Sequence, residues 1–279
     1  MGKTVLVPTD FTEVARVALE HAVGTAQVIG AKVVVLNVVG NSEEVDKAKD
    51  RLEEEADIAR KSDAGVEVET MVRIGNIFED IGDAAAEIDA ELIFMGTHGA
   101  SGWQKVVGSH ALKVITHSKV PFIVVQNKGI KENGYDDIVV PLDLHKETKQ
   151  KLEMVANVAK YFNSRVHIIT PNESDRDFVA QLERNIYFAK TYLSERDIEF
   201  TTTTADKKNF DDKILDHAKS VDADLVVIMN LQKNSLAGMG LLGSNYEQHL
   251  ITNEHNIPCM IVNPVETSHA VGSVYTGSI

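Results

Sequence analysis

The chain of 279 residues carries 28 basic and 42 acidic side chains, a formal net charge of −14. That balance excludes a nonspecific nucleic-acid binder, which needs a basic face. No apolar run approaches the roughly 18 residues that span a bilayer, no leader pattern precedes the first strand-like segment, and the single Cys259 excludes an intrachain disulfide. The expectation is a soluble cytoplasmic protein without membrane contact.

In chain order, short runs of Val, Ile and Leu alternate with longer amphipathic stretches. The first half has apolar runs at 4–8, 32–39, 66–73, 91–95 and 120–125, each near-continuous, as for parallel strands covered on both faces. Residues 12–29 place Val14, Val17, Ala18, His21, Ala22, Thr25 and Val28 at helical spacing, with Asp10 and Thr12 both offering an N-cap oxygen. Residues 43–61 read as a solvated helix rich in charge pairs. A third helix is predicted over 76–89, and a fourth from Ser109 to before Pro121. The second half repeats the order, with strands near 137–141, 165–170, 197–204, 224–229 and 258–263 and helices near 145–162, 174–195, 209–221 and 245–254.

The repetition extends to residues. Val-Leu-Val-Pro-Thr-Asp-Phe at 5–11 returns as Ile-Val-Val-Pro-Leu-Asp-Leu at 138–144. One folding unit is written twice, and alternating strand and helix with right-handed crossovers predicts an α/β fold: two tandem doubly wound parallel sheets of five strands each. The domains are expected at 1–127 and 136–264. The polar, glycine-bearing stretch Gln126–Tyr135 is the linker between them, and 265–279 is an aperiodic tail.

In such sheets ligands bind beyond the carboxyl ends of the strands, where the strand order reverses. Two segments of the first half belong there: Pro8-Thr9-Asp10 after the first strand, and the loop that opens at Met95-Gly96 after the fourth. This loop runs through His98, Gly99 and Gly102 to Gly108-Ser109 at a helix start. Glycines let backbone amides approach an anion, and a helix N-terminus adds partial positive charge. The same glycines would also serve a plain strand-to-helix connection with Ser109 as its cap. The loop is not a Walker A motif, since no Gly-Lys-Ser/Thr closes it. His98, His110 and His117 lack metal-ligand spacing, so no tightly bound metal is expected. No nucleophile elbow is present. The second half keeps Pro141 and Asp143 but has polar non-glycine residues in place of Gly96 and Gly99.

Val-Pro-Thr-Asp-Phe, Met-Gly-Thr-His-Gly-x-x-Gly, the later Gly-Ser and Lys-Val-Pro-Phe-Ile-Val-Val occur in order and resemble the universal stress protein family, over nearly the whole chain as a tandem pair. The resemblance implies an adenine nucleotide, ATP or AMP with Mg²⁺, held in the first half. Pro8, Thr9 and Asp10 would lie beside the base, Val38 would meet it through its backbone, and Met95, Gly96, His98, Gly99, Gly108 and Ser109 would surround the ribose and phosphates. It also implies pairing of the two halves through their last strands as an internal pseudo-dimer, a role in stress response, and at most slow ATP hydrolysis. A homodimer of whole chains is compatible with it. The chain departs from the family's nucleotide-binding pattern at one point: eight residues, Ala100 to Val107, separate the second glycine from Gly-Ser, where that pattern has nine. The competing expectation is a nucleotide-independent interaction module whose clefts are structural or take another small molecule.

Overall fold

A computed structural model describes residues 2–62, 65–97, 109–144, 148–230 and 246–264. The first half runs β1 (Lys3–Pro8), α1 (Glu13–Ile29), β2 (Ala31–Val39), a 3₁₀ turn (Ser42–Glu44), α2 (Val45–Ser62), β3 (Val68–Ile74), α3 (Ile77–Glu87), β4 (Leu92–Gly96), α4 (Ser109–His117) and β5 (Phe122–Val125). The second runs β6 (Asp137–Pro141), α5 (Thr148–Phe162), β7 (Arg165–Asn172), α6 (Arg176–Ser194), β8 (Phe200–Asp206), α7 (Phe210–Ser220), β9 (Leu225–Met229), α8 (Tyr246–Ile251) and β10 (Cys259–Val262).

The ten strands form one sheet in the order β3-β2-β1-β4-β5-β10-β9-β6-β7-β8. Within each half every pairing is parallel. The halves join through β5 and β10, which pair antiparallel with Ile123 opposite Met260. The edge pairing expected of the last strands therefore merges two five-stranded units into one continuous sheet. All four residues of both joining strands are buried, so the joint is the middle of a core and not an exposed edge. Because the joint is antiparallel, the strand carboxyl ends of the two halves point in opposite directions. One core layer packs α1, α2, α5 and α6 against the sheet, and the other packs α3, α4, α7 and α8 against its opposite face.

Two expectations change, and the linker acquires partners. The helix read as solvated over 43–61 is half a core element: α2 buries Ala48, Leu52, Glu55, Ala56 and Ala59, a stripe at helical spacing. β8 begins three residues later than predicted. The end of α6 is closed by Arg196, Asp197 and Ile198, whose amides return to Leu193 and Ser194 carbonyls, and Asp197 takes a left-handed φ of 56°. The segment 126–135 is pinned to both halves. On the second-half side Gln126 donates to the Asn253 carbonyl at 2.8 Å, and Tyr135, 1% exposed, packs edge-on against Phe162. On the first-half side the Lys128 carbonyl and the Tyr135 hydroxyl meet the His21 ring at 3.0 and 2.9 Å. The tail 265–279 lies outside the described residues. No helix among the described residues is long and apolar enough to cross a membrane.

Candidate functional site

The first strand-order reversal lies between β1 and β4. The turn leaving β1 there is held at every residue. The Thr9 amide donates to the Leu36 carbonyl at 2.8 Å, and Asn37 Nδ2 donates to the Thr9 carbonyl at 2.7 Å, so the end of β2 grips the turn. Asp10 Oδ1 accepts from the Thr12 amide at 3.2 Å and from Thr12 Oγ1 at 2.6 Å. Of the two candidate caps it is Thr12 that occupies the N-cap, accepting from the Ala15 amide, while Asp10 orients it. Phe11 adopts φ = 67°, a left-handed conformation that costs a non-glycine residue on the order of 1 kcal/mol.

A cleft of ≈ 460 Å³ opens over this turn, within the usual range for small-molecule sites. Its lining includes Pro8, Thr9, Asp10, Val38, Met95 and Gly96. Leu36, Val39, Ile77 and Ile81 supply apolar walls, and Glu44 and Arg51 bring charge from the start of the α2 region. The Arg51 guanidinium lies over the Phe11 ring at 3.8 Å from its centroid. The absence of a side chain at Gly96 is required by packing: a Cβ there would stand 2.8 Å from Val14 Cγ1 and 3.1 Å from the Val14 carbonyl carbon. The first turn of α1 thus approaches the end of β4 across a bare backbone. His98, Gly99 and Gly108 lie outside the described residues. Ser109 is the first residue of α4.

Sequence reasoning missed the contribution of α2. Glu55 is 4% exposed. Its Oε2 accepts from Thr9 Oγ1 at 2.9 Å, and the same hydroxyl oxygen accepts from the Phe11 amide at 2.9 Å. Burial pushes the Glu55 carboxyl above the usual carboxylate range, against the opposing pull of Thr9 and Arg16. Arg16 Nε stands 3.6 Å from Oε1. The signal available was an acidic residue falling on the stripe Ala48, Leu52, Ala56, hidden among neighbouring glutamates.

The corresponding end of the second half is built differently. Strand register and amide bonding make Asn230 the counterpart of Thr97, because each amide donates to the last strand of its half. Gly96 therefore corresponds to Met229, an apolar residue where a polar one was expected. Asn230 is fully buried and donates to Thr116 Oγ1 at 3.1 Å and Asn263 Oδ1 at 2.8 Å, which ties β9 to α4 of the first half. Lys151 is 3% exposed and donates to the Pro141 carbonyl. Burial lowers its pKa to about 8. An internal ammonium thus stands at the end of β6, where the repeat offset puts Ala18 in the first half. The loop 231–245 lies outside the described residues. Asp211, Asp212 and His249 form the one group among the described residues whose donor atoms lie within 4.8 Å of each other. They are already paired, His249 Nδ1 to Asp211 at 2.7 Å, and they contribute nothing to the first-half cleft.

Comparison with known proteins agrees with this architecture. The model of the universal stress protein family matches twice, over residues 1–126 and 134–263. A universal stress protein of Methanocaldococcus jannaschii is 27% identical over 157 residues, 46% of this chain and 97% of its own length. The crystal structure of a universal stress protein from Archaeoglobus fulgidus superposes with a TM-score of 0.70 at 23% identity, covering 94% of this chain and 97% of that one. Another from Archaeoglobus fulgidus, solved in complex with dAMP, is 26% identical and covers 44% of this chain and 97% of that one, with a TM-score of 0.37. Two successive family matches and a whole-chain structural match make the protein a tandem member of the universal stress protein family.

Proposed function

We propose that the first half binds an adenine nucleotide, ATP or AMP, in the cleft between the ends of β1 and β4, and that the chain uses this occupancy in a cytoplasmic stress response. One observation carries the reading: Pro8, Thr9, Asp10, Val38, Met95 and Gly96, drawn from three strand ends far apart in sequence, line a single cleft. Those are positions the family resemblance implies for the base and the start of the phosphate loop. The apolar walls suit a purine ring, and the backbone at Val38 offers the edge contact that would distinguish adenine. His98, Gly99, Gly108 and Ser109 complete the proposed site on the phosphate side, with Mg²⁺ accompanying ATP. The second half is proposed to carry no family-type site, because Met229 replaces the strand-end glycine and Lys151 already charges the end of β6.

Thermal unfolding with and without nucleotide tests the reading. AMP or ATP–Mg²⁺ at about 100 times its dissociation constant should stabilise the chain by roughly 2.7 kcal/mol. Asp10→Ala and Gly99→Val should each remove most of that shift. No shift in the wild type sinks nucleotide binding, and a full shift in both variants puts the site elsewhere. The rival, a nucleotide-independent interaction module, is favoured by one feature: Asp10 Oδ1 is already engaged by Thr12. Under it, no adenine nucleotide shifts the transition.

A further inference from the structure

We propose that Glu55, on α2 and outside the cleft lining, is the positioning residue that holds the β1–α1 turn in its ligand-ready shape. This inference rests on the nucleotide reading for its functional half and on the turn's own geometry for the rest.

The chemistry of the Thr9 hydroxyl carries it. An ionised carboxylate can only accept, so Thr9 Oγ1 must give its single proton to Glu55 Oε2, 2.9 Å away. With the proton committed, the hydroxyl's lone pairs are free to accept, and the Phe11 amide donates to them at 2.9 Å. Glu55 thereby fixes the direction of a two-bond relay whose far end is the residue in the left-handed conformation, φ = 67°. Backbone strain of this kind persists only where the surroundings over-determine it. Here they do so from one helix: Glu55 sets the Phe11 amide through Thr9, and Arg51, one turn earlier on α2, covers the Phe11 ring at 3.8 Å. Asp10, between the two, is carried along. The burial of Glu55 also needs an explanation, since a carboxylate 4% exposed is unfavourable in a core stripe. Its second oxygen, Oε1, is buried with no hydrogen-bond partner among the described residues, and the Arg16 guanidinium stands 3.6 Å from it. A residue selected for stability alone would be apolar at this position, like its neighbours Leu52 and Ala56.

The test compares wild type with Glu55→Gln, Glu55→Leu and the double variant Thr9→Val/Glu55→Leu, by hydrogen exchange at the Phe11 amide, by melting temperature and by AMP affinity. Gln retains an acceptor and should keep exchange protection and affinity near wild type. Glu55→Leu should lose protection at Phe11 and weaken AMP by about tenfold, the effect of one hydrogen bond. The double variant separates positioning from plain stability. Replacing both partners by apolar groups should recover the melting temperature while leaving Phe11 unprotected and AMP weak. Unchanged Phe11 protection in Glu55→Leu overturns the proposal. So does a double variant in which protection and affinity recover together with the melting temperature. If the wild type binds no AMP, the nucleotide reading fails and the exchange measurement still decides whether Glu55 sets the turn.

Discussion

His21 shows how single residues of α1 tie the cleft to the rest of the chain. It is 1% exposed, eleven positions along from Asp10. Its Nε2 meets the Lys128 carbonyl at 3.0 Å and its Nδ1 the Tyr135 hydroxyl at 2.9 Å. A carbonyl only accepts, so Nε2 carries the proton and Nδ1 accepts from Tyr135. That arrangement needs a neutral ring, and burial lowers the His21 pKa to about 4. Because the folded pKa lies below the unfolded value near 6.5, the unfolded chain binds the extra proton first. Stability from this residue is full above about pH 6.5 and is lost as pH falls toward 4, a total on the order of 3 kcal/mol. Urea unfolding of wild type and His21→Gln between pH 4 and 7 should show a steeper acid limb in the wild type. Parallel limbs would contradict the assignment. The sequence marked His21 as a core-facing helix position from its spacing. Its partners were out of reach of local pattern, since Lys128 and Tyr135 lie more than 100 residues away.

Among the elements, the inner strands were the most legible because their runs of Val, Ile and Leu are buried on both faces, whereas the exposed edge strand β8 carries a threonine run instead. α2 was the least legible. Its charged residues satisfy the pattern of a solvated helix, and the buried stripe includes Glu55, whose burial is compensated chiefly by the Thr9 hydroxyl, 46 positions away in sequence, with Arg16 of α1 and Arg51 adding favourable charge. The glycine at 96 was legible as a glycine of consequence, but the sequence placed that consequence in a phosphate loop. The packing of α1 on β4 is an independent demand on the same position. Gly96→Ala would drive a Cβ into Val14 at 2.8 Å, including backbone atoms that cannot rotate away. It should destabilise the chain by about 1–3 kcal/mol, measured by denaturant unfolding, and Val14→Ala in the same chain should restore only part. A neutral Gly96→Ala would mean that α1 is free to shift, and the tight geometry of the cleft floor would then be wrong.

The molecule as a whole is a duplication joined into one sheet, with the strand carboxyl ends of its two halves facing opposite ways and unequally furnished. The duplication was plain from Val-Pro-Thr-Asp-Phe and its echo at 138–144. The continuity of the sheet rests on the antiparallel register of Phe122, Ile123 and Val124 with Ile261, Met260 and Cys259, and local periodicity cannot specify a pairing across the repeats. The inequality is sharper in three dimensions than in the sequence, because register assigns Met229 to the place of Gly96 and burial assigns an ammonium, Lys151, to the end of β6. These features lead to a stoichiometry. Titration calorimetry of AMP into the intact chain, repeated with Asp10→Ala, should give about one site per chain, lost in the variant. Binding of two equivalents, or of one equivalent that survives Asp10→Ala, would contradict a single adenine-nucleotide site in the first half.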